Sequence, residues 1–127
     1  MSGMDQVKDI TTIRLPGRVD SVTALEVQKS MLDALNPGAR LVVDGSAVTY
    51  MSAAGVRALA TALRSAEDRQ AHVVFCSFSG AAEDCLLVSG FWQLLDIADS
   101  PEEAAARLNA KTGRIPAERL HRRGTTG

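Results

Sequence analysis

The stretch from Leu41 to Leu59 constrains this chain more than any other. Leu41-Val42-Val43 is an apolar run that ends in an acid, Asp44. Gly45-Ser46-Ala47 reads as a turn, and Val48-Thr49-Tyr50-Met51 leads on to the small residues Ser52-Ala53-Ala54-Gly55. Beyond Gly55 the periodicity changes. Val56, Leu59, Ala60 and Leu63 recur at helical spacing with Arg57, Arg64, Glu67 and Asp68 elsewhere, the pattern of an amphipathic helix. A short strand with no polar alternation is expected where a sheet is covered on both faces. A buried strand, a loop and a packed helix therefore follow one another here. At 127 residues the chain has room for one such α/β domain and not two.

The flanking segments extend the same alternation. Ile10 to Leu15 carries β-branched residues and reads as a strand closed by Pro16-Gly17. Thr23-Ala24-Leu25-Glu26 matches a capping box, in which a hydroxyl and a later carboxylate satisfy free N–H groups. The helix behind it runs to about Leu35, with Val22, Leu25, Leu32 and Leu35 near one face. Asn36-Pro37-Gly38 ends it. His72 to Ser77 is another buried-looking strand, and Ala82, Cys85, Leu86 and Ser89 stripe a short helix that Gly90 stops. Leu94 to Ala98 suits a last strand. Ser100-Pro101-Glu102-Glu103 starts a helix, with a cap, a first-turn proline and acids at the positive end. Strands alternating with helices at this spacing predict an open α/β sheet with helices packed on it. The pattern stops near Ala110, which divides the chain into a lead of residues 1–9, a domain of 10–110 and a tail of 111–127.

Composition narrows the function classes. With 46% hydrophobic and 23% charged residues the chain is globular, and with 4% aromatics its core is aliphatic. No apolar run approaches the roughly 20 residues that span a bilayer. The segment Met1 to Ile10 has acids where a signal peptide is apolar, so a cytoplasmic protein without membrane insertion is expected. The net charge of −1 hides an asymmetry. Residues 111–127 hold five of the 14 basic residues and one of the 15 acids, which leaves 1–110 with 9 against 14. A basic arm can touch nucleic acid. Gly113, Pro116 and Gly124-Thr125-Thr126-Gly127 favour a solvated end instead, with no nucleic-acid partner.

Chemistry-bearing constellations are missing. There is no Gly-rich phosphate loop of the Walker type and no Gly-x-Ser-x-Gly elbow. His72 precedes an apolar strand and His121 sits in the tail, neither with an evident nucleophile. Asp44 ends a strand, where α/β folds often place site residues. Cys76 and Cys85 make neither a disulfide framework nor a metal set. Cys76 reads as a small buried hydrophobe, with a redox pair to Cys85 as the alternative. Trp92 reads as core or rim packing, with an exposed contact role as the alternative. No catalytic residue, metal ligand or cofactor is assigned.

Three motifs in order resemble STAS domains, the fold of bacterial anti-sigma factor antagonists. Gly17-Arg18-Val19-Asp20-Ser21-Val22-Thr23-Ala24 is similar to the element that leads into the first STAS helix. The Leu41–Leu59 stretch is similar to the central segment, and Phe91 to Ala104 to the ending. The resemblance covers about residues 10–108. It implies a small mixed β-sheet with about four helices packed on it, and a non-enzymatic regulator in a partner-switching pathway. The implied partner is a serine-kinase-type anti-sigma factor with a histidine-kinase-like ATPase fold, and the antagonist itself is a monomer or weak dimer. Family members carry roughly Asp-Ser-Ser/Thr-Gly at the loop, and the partner kinase phosphorylates the serine after the acid. Phosphate at a helix N-terminus is locally stabilised while adding close to two negative charges to the surface.

This chain departs at that spot. Its letters are Ser52-Ala53-Ala54-Gly55, so Ala53 holds the phospho-acceptor position with no oxygen to modify. Ser52 stands where the family has its acid and is expected to cap the helix, with a shifted phospho-acceptor as the alternative. The partner-contact set implied by the resemblance is Asp20, Tyr50, Met51, Ser52, Ala53, Ala54, Gly55 and Arg57. Tyr50 and Met51 suit either a docking surface or the strand–helix junction. Two other functions stay open: a STAS accessory subunit of a membrane transport ATPase complex, and a small α/β enzyme with an unrecognised site.

Overall fold

The computed structural model describes residues 10–111. Strands β1 (Ile10–Arg14), β3 (Arg40–Asp44), β5 (His72–Cys76) and β6 (Ile97–Ala98) form a sheet in the order β1-β3-β5-β6. Two short strands, β2 (Arg18–Val19) and β4 (Tyr50–Met51), pair separately. Every pairing among the described residues is parallel. The antiparallel member that a mixed sheet requires is not among them. Parallel neighbours need crossovers, and helices α1 (Ala24–Asp33), α2 (Ala53–Asp68) and α3 (Gly80–Ser89) supply them, with α4 (Pro101–Lys111) after the last strand.

Alternation along the central strands sorts the helices onto two faces. Leu41 and Val43 of β3, with Val73 and Phe75 of β5, pack into one cluster with Val27 and Met31 of α1, Leu59 of α2 and Leu86 of α3. Val42, Val74 and Cys76 point the other way and meet Ala104 and Leu108 of α4. Both faces are thus covered, which is why every residue of β3 is buried. The same alternation separates the cysteines. Cys76 belongs to the α4 side, where burial pushes its thiol pKa up, and Cys85 packs against the other cluster. Both are free, and the redox pairing is not made.

Capping places the helices. Ser52 is extended at the N-cap of α2 and its Oγ accepts the Gly55 N–H at 3.4 Å, as expected. Ser100 Oγ accepts the Glu103 N–H at 3.1 Å, and Glu103 returns a bond from the Asp99 N–H at 2.9 Å. Gly90 closes α3 at φ +84°, a conformation that costs glycine little.

Two expectations need correction. The capping box at Thr23 and Glu26 does not form, because Thr23 makes no side-chain cap for α1. The box lies one turn earlier. Asp20 Oδ1 accepts the N–H groups of Val22 and Thr23 at 2.9 and 3.1 Å, while Thr23 Oγ1 accepts the Asp20 N–H at 3.0 Å. With the entry turned this way, Ala24, Val27, Met31 and Leu35 face the core. Val22 and Leu25, expected on that face, are 83% and 76% exposed. The last strand is also shorter than expected. Phe91–Gln93 forms a 3-10 turn whose Phe91 carbonyl accepts the N–H groups of Leu94 and Leu95, so pairing begins only at Ile97. Trp92 is half-buried against the main core, as a packing residue.

Among the described residues no helix is long and apolar enough to cross a membrane. Residues 1–9 and 112–127, including most of the basic tail, lie outside the described residues.

Candidate functional site

The site is built around the N-terminus of α2. Asp44 ends β3 buried, with Oδ1 accepting the Ser46 N–H at 2.9 Å and Oδ2 3.9 Å from Arg14 Nε. It shapes the turn that follows. A Cβ on Gly45 would fall 2.4 Å from the Phe78 ring, so any other residue there must displace that ring. The chain then returns along β2. The N–H groups of Thr49 and Tyr50 donate to the Gly17 carbonyl at 2.8 and 3.2 Å, and the Ser52 N–H donates to the Val19 carbonyl at 3.0 Å. Gly55 completes the junction. A Cβ on it would stand 2.4 Å from the Val19 oxygen, so only glycine lets the first turn of α2 lie against β2.

These bonds decide which of the expected contact residues reach the surface. Ala53 is exposed, Ser52 and Ala54 are half-buried, and Arg57 is exposed one turn further along α2. Tyr50 is 41% exposed beside them. Met51 and Gly55 are buried. Asp20 stands apart as the α1 cap and reaches the loop through a relay. Its Oδ2 accepts from Arg18 Nε at 3.2 Å, and the Arg18 guanidinium lies 4.4 Å from the Tyr50 ring centre. The N–H bond from Thr23, together with that from Val22 and with Arg18, holds the Asp20 carboxyl below its ordinary value.

Sequence reasoning missed one wall of the site and this relay. An open groove of about 540 Å3 runs beside the loop. Tyr50, Met51, Ala53 and Val56 line one side, and α3 lines the other with Ala81, Asp84, Cys85, Val88 and Ser89. Val88 is 88% exposed and Leu87 is exposed next to it. The signal was present in Leu86-Leu87-Val88, because a helix buries one of three consecutive apolar residues and turns the others outward. Arg18 had no such signal. Its partners lie at Asp20 and, across the β2–β4 pair, at Tyr50, to which it stands in register.

The arrangement is a largely apolar groove with one acid, Asp84, and a small exposed methyl, Ala53, at a helix N-terminus. Among the described residues no cluster of His, Cys, Asp or Glu could hold a metal ion.

Comparison with known proteins agrees with this geometry. A candidate anti-sigma factor antagonist of Bordetella bronchiseptica, BtrV, is 28% identical over 104 residues, covering 81% of this chain and 90% of its own. The anti-sigma factor antagonist SpoIIAA in its unphosphorylated form superposes with a TM-score of 0.65 at 21% identity, over 80% of this chain and 90% of that one. The fold also occurs within the much longer murine anion transporter Slc26a9, with a TM-score of 0.70 at 14% identity over 80% of this chain and 18% of that one. The family model described as the STAS domain matches residues 3–104, which run from the lead through β6 into α4, and the chain belongs to that family.

Proposed function

We propose that this chain is an anti-sigma factor antagonist that acts by occupancy, docking on a serine-kinase-type anti-sigma factor with a histidine-kinase-like ATPase fold. The observation that carries the reading is the exposed Ala53 at the N-terminus of α2, at the mouth of the apolar groove, on a scaffold whose cap and junction are intact. The loop is built as for a phospho-switch, but its acceptor position offers a methyl group. Phosphate there would add close to two charges to a surface that otherwise meets its partner through apolar contact. Without an acceptor the chain stays in the binding-competent form. Its contacts are Tyr50, Ser52, Ala53, Ala54 and Arg57 directly, with Met51, Gly55 and Asp20 shaping the surface. The likeness to BtrV supports an anti-sigma factor as the partner, and the reading carries a cytoplasmic setting with it.

The test is a calorimetric titration of the chain against the anti-sigma factor co-purified with it from its own host. Binding that survives preincubation with kinase and ATP supports the reading. An ATPase subunit of a transport complex as the sole stable partner would replace it with the accessory-subunit reading.

A further inference from the structure

Among the residues that line the groove between α2 and α3, only Asp84 carries a charge. It lies exposed on the α3 wall and enters no ion pair among the described residues. Its own helix holds Glu83 and Asp84 and no base, so no cation on α3 answers it. Arg57 is exposed on α2 but does not line the groove. The surface around the carboxylate is apolar, with Val88 exposed on the same wall and Met51 and Val56 across from it.

A partner that covers this strip takes Asp84 out of water. An apolar segment would leave the carboxylate buried and unpaired, at a heavy desolvation cost, and an acid brought opposite it adds repulsion. A cation at that point removes both penalties. The groove therefore discriminates by charge, favouring one sign and penalising both neutrality and the other sign. The wider charge acts in the same direction, since residues 1–110 carry an excess of acids.

We propose that Asp84 selects the partner: the segment of the anti-sigma factor that fills the groove is apolar and presents one Lys or Arg to this carboxylate. The inference rests on the docking reading and names the chemistry of that contact. Ala53 lines the same groove from the α2 side, so a segment seated at the acceptor position also reaches the α3 wall. Apolar contact supplies the area there, and the ion pair supplies the choice.

The experiment is a calorimetric titration of the parent and its variants against the cognate serine-kinase-type anti-sigma factor, at low and at high salt. Asp84→Asn is expected to weaken binding about tenfold and Asp84→Lys about a hundredfold. Asp84→Asn is also expected to flatten the salt dependence. Glu83→Gln, on the same helix but outside the groove, is expected to change the affinity by less than about twofold. Charge reversals of the anti-sigma factor's exposed Lys and Arg residues, each titrated against Asp84→Lys, are expected to include one that restores binding to within about fivefold of the parent. Melting curves check that the variants fold normally. Binding of Asp84→Asn and Asp84→Lys as tight as the parent's overturns the proposal and leaves the proposed function standing. A loss for Glu83→Gln equal to that for Asp84→Asn does the same, as does a weakened Asp84→Lys that no reversal restores. A parent that binds no anti-sigma factor sinks the proposed function and this inference with it.

Discussion

Arg18 holds Tyr50 and Asp20 at once: its guanidinium lies 4.4 Å from the Tyr50 ring centre while its Nε donates to Asp20. One side chain thereby ties the cap of α1 to the rim of the groove. Arg18→Ala is expected to cost about 0.5 to 1 kcal/mol of stability, the range of an exposed cation–π contact. Tyr50→Ala is expected to weaken anti-sigma binding by about 1 kcal/mol or more while leaving the fold intact. Urea melts and calorimetric titrations separate the two effects. Equal losses in both assays for Tyr50→Ala would mean that the ring supports the scaffold and not the interface.

The pH dependence follows from Asp20. Its folded-state pKa is lowered from 3.8, so its charged form contributes stability that is complete above that value and fades as pH falls further. Asp20→Asn keeps an acceptor for the Val22 and Thr23 N–H groups but loses the charge. The variant is expected to be less stable than the parent at neutral pH, with the gap closing as pH drops below 3.8. Denaturant midpoints measured at neutral pH and in the acid range test this, and a gap that widens in acid contradicts it.

Gly55→Ala sets two effects against each other. Helix propensity alone would favour alanine by about 1 kcal/mol. A Cβ placed 2.4 Å from the Val19 oxygen forces the helix away from β2, and overpacking of this kind costs about 1 to 3 kcal/mol. Because the obstacle is backbone, the clash is expected to win, by up to about 2 kcal/mol, read as a lowered melting temperature. A stabilised variant would show that the junction yields.

Phosphorylation tests the acceptor position directly. Incubated with the cognate kinase and ATP, the chain is expected to keep its intact mass, because Ser52 Oγ is engaged with the Gly55 N–H and Ala53 has no oxygen. Ala53→Ser is expected to gain one phosphate and to lose affinity for the anti-sigma factor when modified. A phosphate mapped to Ser52 in the parent would make that serine the acceptor.

Local signals made much of this molecule legible. Ser52, Ser100 and Gly90 work as their positions imply, because each cap is satisfied within a few residues of chain. The α1 register was harder. Thr23-x-x-Glu26 and Asp20-x-x-Thr23 both have box-forming residues, and Val22 and Leu25 are apolar whichever box forms. Only the hydrogen bonds among Arg18, Asp20 and Thr23 choose between them, with Thr23 Oγ1 also donating to the Arg18 carbonyl. The groove is illegible for another reason. Ala53 and Val88 are distant in sequence and become neighbours only when α2 and α3 pack side by side on one face of the sheet.

The contact of Gly55 with Val19 limits how this domain can carry a signal. The helix start is pressed against a backbone carbonyl and the Ser52 N–H is hydrogen-bonded to the same oxygen, so the loop is held to β2 at two successive points. Information placed here is written as chemistry on a rigid page: a methyl, a hydroxyl or a phosphate presented at one fixed point. On the proposed function, exchanging the single side chain at position 53 would turn reversible binding into permanent binding, with no part of the architecture redrawn.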